Sequence, residues 1–175
     1  MSGQQGPIDN NDVQFWTDKV NDVMKRPGEV INSKSAEGAS SWYSNFFGCF
    51  DPIDTCLITW CLPCVTFGKT HHQLHKDPTL AGYEPINTSC LLFCGSGCCG
   101  LWWIPIALQR SDIRHKHNIE GSCLFDIAAA CCCHCCTLIQ SNKEVAHRAQ
   151  AIKEPDNTGY TANLTEMTYA KPAPQ

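Results

Sequence analysis

Two dense blocks of sulfur dominate the chain's chemical potential. The first, "CLITWCLPC", places Cys56, Cys61 and Cys64 in a C-x4-C-x2-C arrangement. The second, "CLFDIAAACCCHCC", runs from Cys123 to Cys136, and six of its fourteen residues are cysteine. Such thiols can be oxidised staples, metal ligands or small buried hydrophobes, and each implies a different function.

Ligation has geometric support. A C-x2-C pair brings two thiolates within reach of one ion because the turn between them aims both side chains the same way, and Pro63 favours such a turn between Cys61 and Cys64. If the second block is one helix, as Ala128 to Ala130 suggest, Cys131 and Cys135 lie a turn apart, as do Cys132 and Cys136. Neighbouring side chains on a helix diverge by about 100°, so Cys131, Cys132 and Cys133 cannot all grip one ion. His134 falls on the stripe of Cys131, Cys135 and Leu138 and could add an imidazole. The candidate ligands are therefore Cys56, Cys61, Cys64, Cys131, Cys132, His134, Cys135 and Cys136. Thiolates select soft cations such as zinc, cadmium or cuprous copper, and they must lose protons to bind, so affinity should weaken as pH falls.

Other sulfur and imidazole groups read as structural. Cys90, Cys94 and Cys98 recur at i, i+4, i+8 in an apolar run and suit packing. His71, His72 and His75 in "HHQLH", and His115 and His117, suit solvated loops or helix ends. No local pattern supplies a cysteine nucleophile with a base and an orienting group, and "GSGCCG" lacks the lysine of a phosphate-cradling loop, so the chain is expected not to be an enzyme.

Length and charge narrow the setting. A chain of 175 residues fits one domain plus tails, and a net charge of −4 argues against nucleic acid as a partner. The N-terminus has neither the basic start nor the apolar stretch of a secretory signal, which predicts a reducing compartment for most thiols. Residues 1–41 read as a disordered tail holding one amphipathic helix at 12–25, where Val13, Trp16, Val20, Val23 and Met24 recur at helical spacing. That stripe could meet the domain itself, a protein partner or a lipid surface. Residues 42–148 form the cysteine-rich domain, and 149–175 a disordered tail rich in proline and polar residues.

Three apolar runs organise the domain: Thr55 to Gly68, Pro85 to Gln109 and Ile127 to Asn142. The middle one has 25 residues without a formal charge, more than the ~20 a helical membrane span requires, although Gly95, Gly97, Gly100 and Pro105 would interrupt it. Arg110, Arg114 and Lys116 follow it, a basic cluster that would prefer the cytoplasmic side. A mean hydropathy of −0.23 argues against a chain mostly embedded in lipid.

The residues also carry a likeness. "FFGCFDPIDTCLITWCLPCVTFGK" and "CCCHCCTLIQSNKEVAHR" resemble the placenta-specific gene 8 family of cysteine-rich proteins, which includes plant cadmium resistance and cell number regulator proteins. The resemblance runs from about Trp42 to Arg148. It places the family's first block on Cys56, Cys61, Pro63 and Cys64, and its second on Asp126, Cys131, Cys132, Cys135, Cys136, Gln140 and Glu144. Leu62 splits a cysteine from its Pro-Cys pair, and Ile139 stands where many relatives carry another cysteine. The resemblance implies a membrane-associated protein that confers tolerance to cadmium and influences zinc or other divalent-ion handling; the expected location is the plasma membrane, and if the first apolar run also spans, the basic cluster puts the cysteine blocks on the cytosolic face.

The expectation is a mainly α, small cysteine-rich helical domain that could associate with a membrane, with disordered ends. Its function would be heavy-metal tolerance through binding of zinc or cadmium, by sequestration or by assisted export as a homo-oligomer. The alternative is a zinc-stabilised regulatory module, soluble in cytoplasm or nucleus, that affects growth or stress response and metal tolerance only indirectly.

Overall fold

The computed structural model of the chain describes residues 7–51 and 53–153. Expectations for the first six residues and for 154–175 lie outside the described residues. Among the described residues the fold is built from α-helices: α1 (Asn10–Lys25), α2 (Pro27–Ile31), α3 (Ile53–Cys61), α4 (Pro63–His75), α5 (Thr88–Cys98), α6 (Trp103–His117), α7 (Cys123–Cys132) and α8 (His134–Lys153), with a 3-10 turn at Gly48–Phe50. Two isolated β-bridges join the segment before the domain to the α6–α7 connection, Lys34 with Ser122 and Ser40 with Ile119.

Helix α1 starts where Asp9 caps it, its carboxylate accepting the Asn11 amide. Its stripe meets the domain itself. Trp16 is buried, donates its indole N–H to Ser89 Oγ at 3.0 Å, and packs on Phe67 and His71. Lys76 clamps the same helix from α4 by ion pairs to Asp9 and Asp12, and Lys19 pairs with Asp112 of α6. The far end of the stripe, Val20 and Met24, stays exposed.

The middle apolar run is two helices. Leu101 N–H returns to Ser96 O, Gly100 takes φ +73°, a left-handed conformation glycine adopts without strain, and α6 then begins two residues before Pro105. No helix among the described residues is long and apolar enough to cross a membrane. The third run is likewise split, at Cys133, whose non-helical backbone separates α7 from α8. Thr137 Oγ1 bridges that break by donating toward the carbonyls of Ala129 and Cys133.

The interior is unusually polar. Along the α4–α8 contact, Asn142 donates to Thr70 Oγ1 at 3.1 Å, and Thr59 and Thr66 share a hydrogen bond of 2.8 Å. Arg110 and Arg114 on α6 each place Nε on one oxygen of Asp126 on α7, at 3.0 and 2.8 Å, with all three side chains 1% exposed. Two of the three basic residues read as a cluster on the cytoplasmic side of the middle run are thus buried in the domain. The Arg110 guanidinium also lies 3.9 Å from the Trp42 ring centroid, and Arg114 Nη1 donates to Gly121 O. Burial pushes Asp126 up despite both arginines, and holds Arg110 down to about 10.

Segment 42–48 is fastened to α8 by side chains of one helix face. Glu144 accepts the Tyr43 amide at 2.6 Å and an ion pair from Arg148, Gln140 donates to Ser44 O, and Lys143 donates to Gly48 O. Gln140 and Glu144, which end the second family block, thereby hold the start of the domain in place.

Much of the apolar sequence faces outward. Ile53, Leu57, Ile58 and Trp60 of α3, Phe47 just before the 3-10 turn and Phe50 within it, Leu91 and Leu92 of α5, and Leu124 and Phe125 of α7 are all exposed, Trp60 to 74%. Apart from Asp54, residues 53–62, 91–102 and 124–132 bring no formal charge to that surface, because Asp126 is buried.

Two outcomes follow from the buried charges. Asp126→Asn leaves two guanidiniums uncompensated and should cost about 3–5 kcal/mol in urea unfolding, whereas replacing all three of Arg110, Arg114 and Asp126 by apolar residues of similar volume should cost less. Burial holds the His75 imidazole down to about 3, with His71, Lys116 and Lys19 adding to the effect and Asp12 opposing it. A folded value below the unfolded 6.5 means stability is intact above pH 6.5 and lost as pH falls toward 3, at up to about 1.4 kcal/mol per unit. Urea midpoints at pH 6.5 and 5 should differ less for His75→Gln than for the parent chain.

Candidate metal centre

The thiols of Cys64, Cys90 and Cys94 form one cluster, with all three Sγ atoms within 4.8 Å of one another. Cys64 is in the first turn of α4, one residue after Pro63, the first residue of that helix. Cys90 is in the first turn of α5, its amide donating to the Oδ1 of the N-cap Asn87 at 3.0 Å, and Cys94 lies one turn further on. Cys64 and Cys90 thus sit in the first turns of two helices, where the helix dipole favours negative charge.

Gly68 allows this meeting. A Cβ there would stand 2.6 Å from Asn87 Oδ1 and 2.9 Å from its Nδ2, so the cap of α5 rests directly on the backbone of α4. Asn87 also donates to Glu84 O, fixing the loop that enters α5. Tyr83 borders the cluster, its hydroxyl donating to Val65 O, and burial together with the neighbouring Cys90 and Cys64 pushes it up to about 12.

Burial raises the thiols of Cys64, Cys90 and Cys94 above the ordinary cysteine value, so each is protonated at neutral pH in the absence of a cation. A cation would have to displace those protons. Three sulfurs around a zinc-sized ion at ~2.3 Å would stand roughly 4 Å apart, so the cluster needs only a small contraction. Cys94 is exposed and Cys64 half-buried, which leaves a side open to an entering ion. The cluster could hold a metal ion, and its all-thiol donor set suits a soft one.

A second sulfur group lies at the break between α7 and α8. Cys133 and Cys136 are joined by a disulfide, Cys49 Sγ lies 3.5 Å from Cys136 Sγ, and Cys56 packs on the same cluster with Ile139. Cys135 is half-buried beside them, its thiol pushed up by burial and by Cys56 and Cys49.

The sequence-derived ligands are thus divided. Cys64 joins Cys90 and Cys94. Cys56 joins Cys135 and Cys136. Cys61, at the end of α3, is exposed, as are Cys131 and Cys132 at the end of α7, and His134 is half-buried in the first turn of α8. The one-turn pairings of Cys131 with Cys135 and of Cys132 with Cys136 are lost because the helix is broken at Cys133.

Cys90 and Cys94, read from sequence as packing, are the residues that complete the thiol triad. Their i, i+4 spacing was a signal, but the partner Cys64 comes from another helix. His71 is also no solvated histidine: it is 2% exposed, with Nε2 3.6 Å from Asp12 Oδ1.

Several curated proteins are similar to this chain. Plant Cadmium Resistance 9 of Arabidopsis thaliana is 30% identical over 116 residues, covering 66% of this chain and 74% of that protein. Plant Cadmium Resistance 2 of the same plant is 30% identical over 113 residues, covering 65% and 70%. Cell Number Regulator 1 of Zea mays is 33% identical over 136 residues, covering 75% of this chain and 65% of that protein. No solved structure matches the chain. The PLAC8 family profile matches residues 42–144, from the tryptophan that stacks on Arg110 to the glutamate that holds Tyr43, and the chain belongs to the PLAC8 family.

Proposed function

We propose that this protein contributes to heavy-metal tolerance by binding a soft divalent cation, cadmium or zinc, through Cys64, Cys90 and Cys94. The observation that carries this reading is the convergence of three thiols at two helix starts. The names of the relatives, Plant Cadmium Resistance 9 and Plant Cadmium Resistance 2, agree with it. The cation is cargo, held by the chain and exchanged with its surroundings, and no bond of an organic substrate is made or broken. Each thiol bound to the ion gives up a proton, so binding competes with protonation across the neutral range.

The uncharged surface of α3, α5 and α7 supports a place for this site at a lipid interface. Trp60 and Trp102 lie within it, and tryptophan is favoured where hydrocarbon meets headgroups. Helices of this length would lie along the interface and leave Cys94 near the membrane surface.

Titration of the reduced full-length protein with cadmium at pH 7.5 should develop ultraviolet thiolate-to-metal absorption, which should drop at least severalfold when Cys64, Cys90 and Cys94 are all replaced by serine. Cys61→Ser should leave the absorption intact. The affinity should fall as pH is lowered from 8 to 6. In a cadmium-sensitive host the triple variant, at equal abundance, should lose the tolerance the parent confers. Full binding and full tolerance in that variant would reject the triad. For the lipid placement, the protein should sediment with neutral phosphatidylcholine vesicles, and Leu57→Glu with Trp60→Glu should weaken this at least severalfold.

A further inference from the structure

The second sulfur group has a chemistry separate from the triad. Cys133 is the residue between α7 and α8, and its Sγ accepts the Cys136 amide at 3.4 Å, so it acts as the cap of α8. Cys136, its disulfide partner, is 7% exposed. Cys49, equally shielded at 6% exposure, reaches the same Cys136 from the 3-10 turn, sulfur to sulfur at 3.5 Å. A free thiol is therefore held against one sulfur of a disulfide whose other sulfur sits half-exposed at a helix start.

We propose that Cys49, Cys133 and Cys136 form a thiol–disulfide exchange site in which the Cys133–Cys136 bond is exchanged for a Cys49–Cys136 bond. The Cys49 thiol loses its proton to water and its thiolate attacks Cys136 Sγ. The Cys49–Cys136 bond forms, the Cys133–Cys136 bond breaks, and the electron pair leaves on Cys133 Sγ, which takes a proton from water. The chain begins and ends with one disulfide, so no oxidant or reductant is consumed. The leaving sulfur accepts the Cys136 amide at the start of α8, a position that favours a thiolate.

The exchange changes what the disulfide does. Cys133 and Cys136 are three residues apart, so their bond restrains only the break between two helices. Cys49 and Cys136 are 87 residues apart, and a bond between them ties the 3-10 turn, and with it the exposed start of α3, to α8. At the same time it releases a thiol at Cys133, where solvent reaches it. The site is thus a switch between a local clip with a buried free thiol and a long-range staple with a surface free thiol. Neither state uses Cys64, Cys90 or Cys94, so this proposal stands or falls apart from the metal-binding one.

Two experiments on the full chain test it. Trypsin separates residues 35–69, which hold Cys49, from 117–143, which hold Cys133 and Cys136. Cys133→Ser keeps a capping oxygen on α8. After equilibration in oxidised glutathione and trapping with iodoacetamide, this variant should yield mostly the two peptides joined by a disulfide, and adding Cys49→Ser should reduce the joined pair to background. In the native-sequence protein with its disulfide intact, iodoacetamide should label Cys133 at least severalfold faster than in Cys49→Ser, which cannot release it. No joined peptides in Cys133→Ser, peptides that stay joined without Cys49, or equal labelling of Cys133 with and without Cys49 would each overturn the proposal. Circular dichroism of each variant shows whether it has kept its helices, and the labelling comparison needs no change at Cys133.

Discussion

A single carboxylate organises the domain. Asp126 receives Nε of both Arg110 and Arg114, and through them α7 is locked to α6 in a place from which water is excluded. Arg114 reaches on to Gly121, where the chain turns into α7, and Arg110 spreads under Trp42, where the family domain begins. A buried charge cannot be left without its counterpart, so these elements form together or not at all. The same logic extends along α8, whose Gln140, Lys143 and Glu144 satisfy the backbone of 42–48.

This polar interior explains an otherwise odd surface. If arginine, aspartate, threonine and asparagine knit the helices from within, the aliphatic and aromatic residues of α3, α5 and α7 are left over and face outward. Large exposed apolar patches on a protein surface mark sites of interaction with a partner or a membrane. The proposed lipid interface would accept such residues, and α5 supplies both Cys94 of the proposed triad and the exposed Leu91 and Leu92.

Local features were legible in the sequence and long-range ones were not. The α1 stripe through Trp16 follows from residue type and helical spacing. The two cysteine blocks stood out, but spacing could not say that Cys61 and Cys64 would diverge. The turn at Pro63 ends one helix and starts another, so Cys61 faces solvent while Cys64 points toward α5. Nor could periodicity reveal that Gly68 is a contact point for Asn87, the feature that brings Cys90 over Cys64. Arg110 and Arg114 read as a basic cluster flanking an apolar run because their partner Asp126 lies in another helix. The break at Cys133 was hidden by a run of residues that all tolerate a helix.

The claim that three thiols gather around one soft ion is open to direct structural measurement. X-ray absorption fine structure on the reduced protein loaded with one equivalent of cadmium reports the type and number of atoms bound to the ion. The account predicts a first shell dominated by sulfur, with about three sulfur neighbours that fall to two in Cys90→Ser. A shell of oxygen or nitrogen, or a sulfur shell unchanged when Cys90 is replaced, would contradict it.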